Sequence, residues 1–307
     1  MPIKINADLP AVNTLEQENI FVMTEQRAET QEIRPLKVAI VNLMPTREVT
    51  ETQLLRLLGN TPLQIEISLV RMESHNYKNT GDAYLDKFYI PSSELFKNKY
   101  DGMIITGAPL EKIDFEQVDY WDELCKIMDY AKKHVFSTLY LCWGAFAGLY
   151  HLHNVPKINI EKKLFGIFRS KRATMNDPLL RGLDDTFPIP TSRYCTIKED
   201  DILSHPEISI LAKSEETGVT LVKSNDDREI FMTGHLEYDT NTLANEYWRD
   251  VNKGLDIHVP AHYFPNDDPT KFPESTWRSS AHLFFNNWLN YYVYQETPYD
   301  LKSLEEN

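Results

Sequence analysis

Two separated groups of side chains in this 307-residue sequence could do nucleophilic chemistry together. The first is Cys142, which follows the apolar run Val135 to Leu141 and precedes Trp143 and Gly144. A strand that turns sharply into a helix presents its central side chain at the carboxyl edge of a sheet, the geometry of a nucleophile elbow. The helix N-terminus behind the sulfur favours thiolate, because free N–H groups and the helix dipole stabilise negative charge. Tyr140 departs from the pattern, which has a small residue two positions before the nucleophile. Taken alone, such a cysteine reads first as a small buried hydrophobe.

The second group is His235-Leu236-Glu237, after a buried run and Gly234. A cysteine nucleophile needs a base, and the base needs an orienting carboxylate. Residues two apart in extended chain face the same side, so Glu237 reaches the space of His235. A carboxylate there fixes the imidazole tautomer and stabilises imidazolium. The competing reading is a loop histidine beside a solvated charge. An oxyanion needs backbone donors. The N–H of Trp143 and one in the Gly107-Ala108 turn are the candidates. His151 and His153 lie near a helix end, where histidines are usually solvated, and no metal site is expected.

Positioning these groups requires a sheet. Leu36 to Leu43 reads as a first strand, Thr46 to Leu58 as a helix closed by Gly59-Asn60, and Leu63 to Val70 as a second strand. Residues 72–100 read as a long polar connection. Gly102 to Pro109 is a short strand running into a glycine turn, Phe115 to His134 an amphipathic helix, and Val135 onward the elbow. This rhythm predicts an α/β fold, a mostly parallel sheet flanked by helices, with sites beyond the strand carboxyl ends. Residues 154–200 look irregular, an insertion beside the site with Lys162, Lys163, Arg169, Lys171 and Arg172 close together. Three strands follow at 208–211, 219–222 and 229–233, then helices at about 241–252 and 277–294. The expected organisation is a surface segment over 1–35, one α/β domain over 36–301 and a tail over 302–307.

Composition narrows the partners. A net charge of −14 argues against nucleic acid and against anionic membranes. Cys125, Cys142 and Cys195 are few, odd in number and far apart, which fits a reducing compartment rather than a disulfide framework. The N-terminus lacks a basic run followed by an apolar core, so no signal peptide is expected and the location reads as cytoplasmic. From Val135 to Pro156 there is no Asp, Glu, Lys or Arg, but polar groups recur and the run divides into strand and helix. It is expected in the core, not across a membrane.

The order of Cys142 and a much later His235-x-Glu237 resembles the class I glutamine amidotransferase fold, which is flavodoxin-like. More specifically, the chain resembles the homoserine O-acyltransferase family of that type, which acts at the first committed step toward methionine. The resemblance is carried by Thr50-Glu-Thr-Gln-Leu-Leu-Arg-Leu-Leu-Gly59, Ile105-Thr-Gly-Ala-Pro109, Cys142-Trp-Gly144, Thr233-Gly-His-Leu-Glu-Tyr-Asp239, Tyr263-Phe-Pro-Asn-Asp-Asp-Pro269 and the stretch Asn287 to Leu301.

That resemblance implies two-step acyl transfer from an acyl-coenzyme A to the side-chain hydroxyl of L-homoserine, with no bound cofactor. Cys142 is the expected nucleophile, His235 the base and Glu237 its orienter; Lys163, Ser192 and Arg249 match substrate-contacting positions. Glu111, in Gly107-Ala-Pro-Leu-Glu111, stands where succinyl-transferring members often carry glycine and acetyl-transferring members glutamate. Its bulk and charge oppose a succinyl carboxylate, so acetyl-coenzyme A is the expected donor. Members commonly form homodimers. Phe146 and Thr191 replace a glutamine and a histidine common in the family. The alternatives are an amide-directed hydrolase or amidotransferase using the same three residues, and a non-catalytic redox-sensing protein on this fold.

Overall fold

The computed structural model describes residues 3–6, 8–18, 22–23, 34–75 and 81–295. The expected tail over 302–307 and most of the charged run Glu16 to Glu32 lie outside these residues. The strands in chain order are β1 (Ile3–Lys4), β2 (Val22–Met23), β3 (Leu36–Val41), β4 (Ile65–Arg71), β5 (Tyr89–Pro91), β6 (Tyr100–Ile105), β7 (Val135–Leu141), β8 (Ile158–Arg172), β9 (Thr186–Thr196), β10 (Ile208–Ser214), β11 (Gly218–Ser224) and β12 (Glu229–Met232). The helices are α1 (Ala11–Gln17), α2 (Arg47–Leu58), α3 (Asp82–Phe88), α4 (Ser92–Leu95), α5 (Trp121–His134), α6 (Trp143–His153), α7 (Glu199–Leu203), α8 (Thr242–Asn252) and α9 (Arg278–Asn287).

The strands form one sheet in the order β2-β1-β4-β3-β6-β7-β12-β11-β10-β8-β9, with β5 beside β4. Pairing is parallel from β2 through to β12 and antiparallel from β12 to β9. The parallel strands read as continuous apolar runs because both of their faces are covered. Val38, Ile40, Ile104 and Leu139 face one apolar cluster, shared with Leu54, Leu58, Phe284 and Phe285 of α2 and α9. Ala39, Val41, Met103, Ile105 and Tyr140 face the other, shared with Leu124, Ile127 and Met128 of α5 and with Ala145 and Leu149 of α6.

Register decides where the chemistry falls. Val41 pairs with Ile105, Ile105 with Tyr140, and Leu141 with Met232. The carboxyl ends of β3, β6, β7 and β12 are therefore level, and the chain leaves all four on one edge at Asn42, Thr106, Cys142 and Thr233.

Several elements depart from the sequence expectation. The presumed connection over 72–100 holds α3, β5 and α4, which bury Leu85, Tyr89 and Leu95. The presumed irregular insertion is a long hairpin, β8 paired antiparallel with β9. Its charged residues hid the strand pattern, since exposed and buried positions alternate only in parts of β8. The helix expected from Phe115 begins at Trp121, after a short 3-10 turn. The closing helix passes from α9 into a π-helical segment at Trp288–Tyr294.

Two glycines of α6 show how tightly the elbow is packed. A methyl group on Gly144 would stand 2.6 Å from the Thr106 carbonyl oxygen and 2.8 Å from that of Ile105, so the helix starts against the backbone end of β6. One on Gly148 would meet the Tyr140 ring at 2.9 Å. The unusual tyrosine before the elbow is thus accommodated by a missing side chain one helix turn further on, and its ring stacks on Phe231 at 4.8 Å. Because backbone cannot move aside as a side-chain tip does, Gly144→Ala should destabilise the fold by about 1–3 kcal/mol in urea titrations.

Candidate active site

The elbow is built from strand ends. Cys142 sits at φ 47°, ψ −114°, outside the regions that suit an L-residue, and caps α6. Its N–H donates to the Met232 carbonyl at 2.7 Å, which ties the end of β7 to the end of β12. Its own carbonyl accepts from Ala145 at 2.9 Å and Phe146 at 3.2 Å, opening the helix directly behind the sulfur. Gly107 closes the other side. A methyl group there would lie 3.3 Å from Cys142 Cβ and 3.5 Å from His235 Cε1. Among the described residues no backbone carbonyl accepts the N–H of Ala108 or of Trp143.

His235 leaves β12 through Gly234, whose absent side chain lets backbone approach Ile189 and Pro190 of β9. The His235 N–H donates to the Pro190 carbonyl at 2.9 Å. Its Nδ1 pairs with Glu237 Oε1 at 2.6 Å, and the imidazole also bonds to Cys142. The Tyr238 ring lies flat on the imidazole, 4.0 Å away at 12°. Trp277 Nε1 donates to the Tyr238 carbonyl at 3.0 Å and secures this turn. Burial disfavours imidazolium, but the negative charge of Cys142 and Glu237 outweighs it and holds the His235 value well above its usual 6.5. The three residues matched across nearly a hundred positions of sequence thus form one buried thiol–imidazole–carboxylate row.

A polar wall stands beside it. Glu246 on α8 accepts from Lys163 Nζ of β8 at 2.7 Å, Ser192 Oγ of β9 at 2.9 Å and Arg249 Nη2 at 3.4 Å. Lys163 is buried, with its ammonium 4.3 Å from the Phe165 ring centre, and is no surface lysine. Arg249 is half exposed and also holds Asp250 at 2.7 and 3.0 Å. The three expected substrate-binding residues are therefore gathered by Glu246, a carboxylate that is not among the site residues expected from the sequence. The signal was available, since residues 246 and 249 share a face of an amphipathic helix.

Glu111 does not point away from the site. Burial pushes its carboxyl up, while the charges of Lys163 and His235 act in the opposite sense and Glu246 adds to the rise. Its carboxyl thus lies within electrostatic reach of both the polar wall and the imidazole. His151 and His153 part company: His151 meets Asp129 at 2.8 Å, and His153 meets Glu229 at 2.7 Å. Among the described residues no group of three or more His, Cys, Asp or Glu is placed to hold a metal ion, and no helix is long and apolar enough to cross a membrane.

With this geometry in view, comparison with known proteins is decisive. The family model described as homoserine O-succinyltransferase matches residues 2–299. The chain belongs to the homoserine O-succinyltransferase family. Relatives named homoserine O-acetyltransferase include one from Petrotoga mobilis, 55% identical over 306 residues covering 100% of this chain and 99% of the relative. Another, from Methanomethylophilus alvi, is 54% identical and covers 99% of this chain and 98% of the relative. A glutamine amidotransferase from Thermotoga maritima shares the fold, with a TM-score of 0.60 at 11% identity, covering 86% of this chain and 100% of that one. One from Methylobacillus flagellatus gives 0.53 at 11%, covering 88% and 99%. The chain therefore has the class I glutamine amidotransferase-like α/β fold expected from the order of Cys142, His235 and Glu237.

The raised His235 value carries a pH signature. A folded-state value above the unfolded one stabilises fully below about pH 6.5 and ceases to do so as pH rises through the folded value. The stability advantage of the native chain over His235→Gln, read from urea titrations, should be greatest in mild acid and shrink above neutrality. An advantage that grew with pH would contradict the assignment.

Proposed function

We infer that this chain is a homoserine O-acyltransferase that moves an acetyl group from acetyl-coenzyme A to the side-chain hydroxyl of L-homoserine by way of an acyl-cysteine. The observation that carries the reading is the buried row of Cys142, His235 and Glu237 beside a wall of paired charges, in a chain whose full-length relatives are named for this transfer.

In the first step Cys142 Sγ passes its proton to His235 and attacks the thioester carbon. The bond from that carbon to the coenzyme A sulfur breaks, and His235 delivers the proton to the departing thiol. Negative charge on the carbonyl oxygen is met by the N–H groups of Ala108 and Trp143, a role supported by the fact that no backbone carbonyl among the described residues accepts either of them. In the second step the homoserine hydroxyl attacks the acyl carbon, His235 takes its proton, and Cys142 Sγ leaves. Glu237 holds the imidazole tautomer throughout.

The polar wall suits an amino acid acceptor. Glu246 offers a carboxylate to the α-ammonium group, while Arg249 and Lys163 offer cations to the α-carboxylate, with Ser192 as a further hydrogen-bonding group. Binding exchanges internal pairs for pairs with substrate, so little uncompensated charge is left buried. Glu111 supports acetyl as the donor group: a carboxylate facing this space opposes the free carboxylate of a succinyl chain. Acetyl-coenzyme A is then a co-substrate and no resident cofactor is needed. A cytoplasmic homodimer goes with this reading on the strength of the family resemblance.

Intact mass after brief mixing with each donor, without homoserine, tests the proposal. An acetyl adduct should form, be absent in Cys142→Ser and discharge when homoserine is added. No adduct from either donor would favour amide chemistry instead. Glu111→Gly should raise the succinyl adduct rate by at least about tenfold relative to the acetyl rate. Glu246→Gln should raise KM for homoserine by about tenfold or more, from the loss of one charge-assisted contact, while donor acylation changes little.

A further inference from the structure

The imidazole of His235 has an aromatic neighbour to which the reaction assigns no proton. Tyr238 follows Glu237 directly, and its ring lies parallel to the imidazole, with centres 4.0 Å apart and planes 12° apart. The backbone turns back on itself to bring this about. The Tyr238 N–H donates to the His235 carbonyl at 3.3 Å, and the Tyr238 carbonyl accepts from Trp277 Nε1 at 3.0 Å. A neutral imidazole gains mainly dispersion from such a stack. An imidazolium gains more, because a cation is attracted to the electron-rich face of a phenol ring.

The other contacts of His235 leave this task open. Its Nδ1 pairs with Glu237 Oε1 at 2.6 Å, which holds one edge of the ring. Tyr238 covers a face. A ring held at one edge and one face cannot rotate about its side-chain bond without losing both contacts. The titratable groups within electrostatic reach of the imidazole are Cys142 after β7, Glu237 in the same turn and Glu111 in the segment after β6, while β9 contributes the Pro190 carbonyl to the His235 N–H. Of these, Cys142 carries no charge once it is acylated, which is when the imidazole must accept the second proton. The Tyr238 face does not change state in the cycle. Burial pushes its phenol well above the usual 10, and the charges of Glu246, Cys142, Glu237 and Glu111 add to the rise, so it stays neutral.

We propose that Tyr238 is a positioning residue for both half-reactions: its ring fixes the plane of the imidazole that bonds to Cys142 and lends its π face to the imidazolium that each proton transfer creates. The inference rests on His235 being the base of the acyl transfer.

The test reads the imidazole directly, by NMR titration of histidine-labelled chain, with His235→Gln assigning its signal among the nine histidines. Tyr238→Met removes the aromatic face, and Tyr238→Phe keeps it while removing the hydroxyl. The His235 midpoint should fall by about 0.4–1.5 pH units in Tyr238→Met and stay near the native value in Tyr238→Phe. Acetyl adduct formation on the alkaline side of the native midpoint should slow by about 3- to 30-fold in Tyr238→Met, the same shift read as a rate, and recover in Tyr238→Phe. A merely structural role predicts the opposite sign, because a loosened turn admits water, relieves burial and moves the midpoint up. A midpoint unmoved or raised in Tyr238→Met overturns the proposal. So does a fall that disappears when Glu237→Gln is also present, since the ring would then act only by keeping the carboxylate in place. If Tyr238→Met does not fold, pentafluorophenylalanine inserted at this position by nonsense suppression keeps a flat ring and withdraws its π charge. The same fall is expected, and its absence overturns the proposal. Failure of the native chain to form any acyl adduct defeats the parent reading, and it is told apart from these outcomes because the midpoints are read without donor.

Discussion

The hydrogen bond from the Cys142 N–H to the Met232 carbonyl is the contact on which the site depends. It fastens the carboxyl ends of two parallel strands that are far apart in sequence. From the first of them the chain turns at once into α6, and from the second it runs three residues on to His235. A slip of one residue in this pairing would send the side chains of β7 to the opposite layers and carry Cys142 away from the imidazole. The strained backbone at Cys142 persists because it is held on three sides: by β12, by the helix it caps, and by the end of β6 against Gly144.

Charge is arranged around this junction in pairs that cross between elements. Glu237 and His235 come from one turn, but Lys163, Ser192 and Glu246 come from β8, β9 and α8. Glu246 holds both Lys163 and Arg249. Such pairs keep charged groups buried without large unpaired cost. Arg193 stands apart from this scheme, since among the described residues its bonded partners are backbone carbonyls.

The parallel and antiparallel halves of the sheet divide the work. The parallel half, covered by helices on both faces, sets the elbow, the glycine turn and the base on one edge with little freedom to move. The antiparallel half extends the sheet past β12 and folds its hairpin back so that Lys163 and Ser192 stand beside the same edge. Together the two halves set a buried row of thiol, imidazole and carboxylate at one sheet edge with a separate polar wall beside it.

Much of the parallel half was legible in the chain itself. Apolar runs such as Leu36–Val41 and Val135–Leu141 are buried on both faces, and the amphipathic stripe of α5 repeats at helical spacing, so local pattern and final environment agree. Cys142, His235 and Glu237 could be named for the same reason: strand ends and glycines mark them. The hairpin of β8 and β9 could not be read, because its charged residues interrupt the strand alternation and Lys163 and Ser192 find their partner on α8, far along the chain. Arg193 could not be read either, and the helix face that Glu246 shares with Arg249 did not show its bonds to Lys163 and Ser192. A carboxylate on a helix and an arginine on a strand look like solvated charges until the fold removes water from around them. Sequence by itself determined which residues could react and which segments would form the central sheet. Tertiary structure alone decided which charges are buried together, because burial and pairing depend on contacts between segments far apart along the chain.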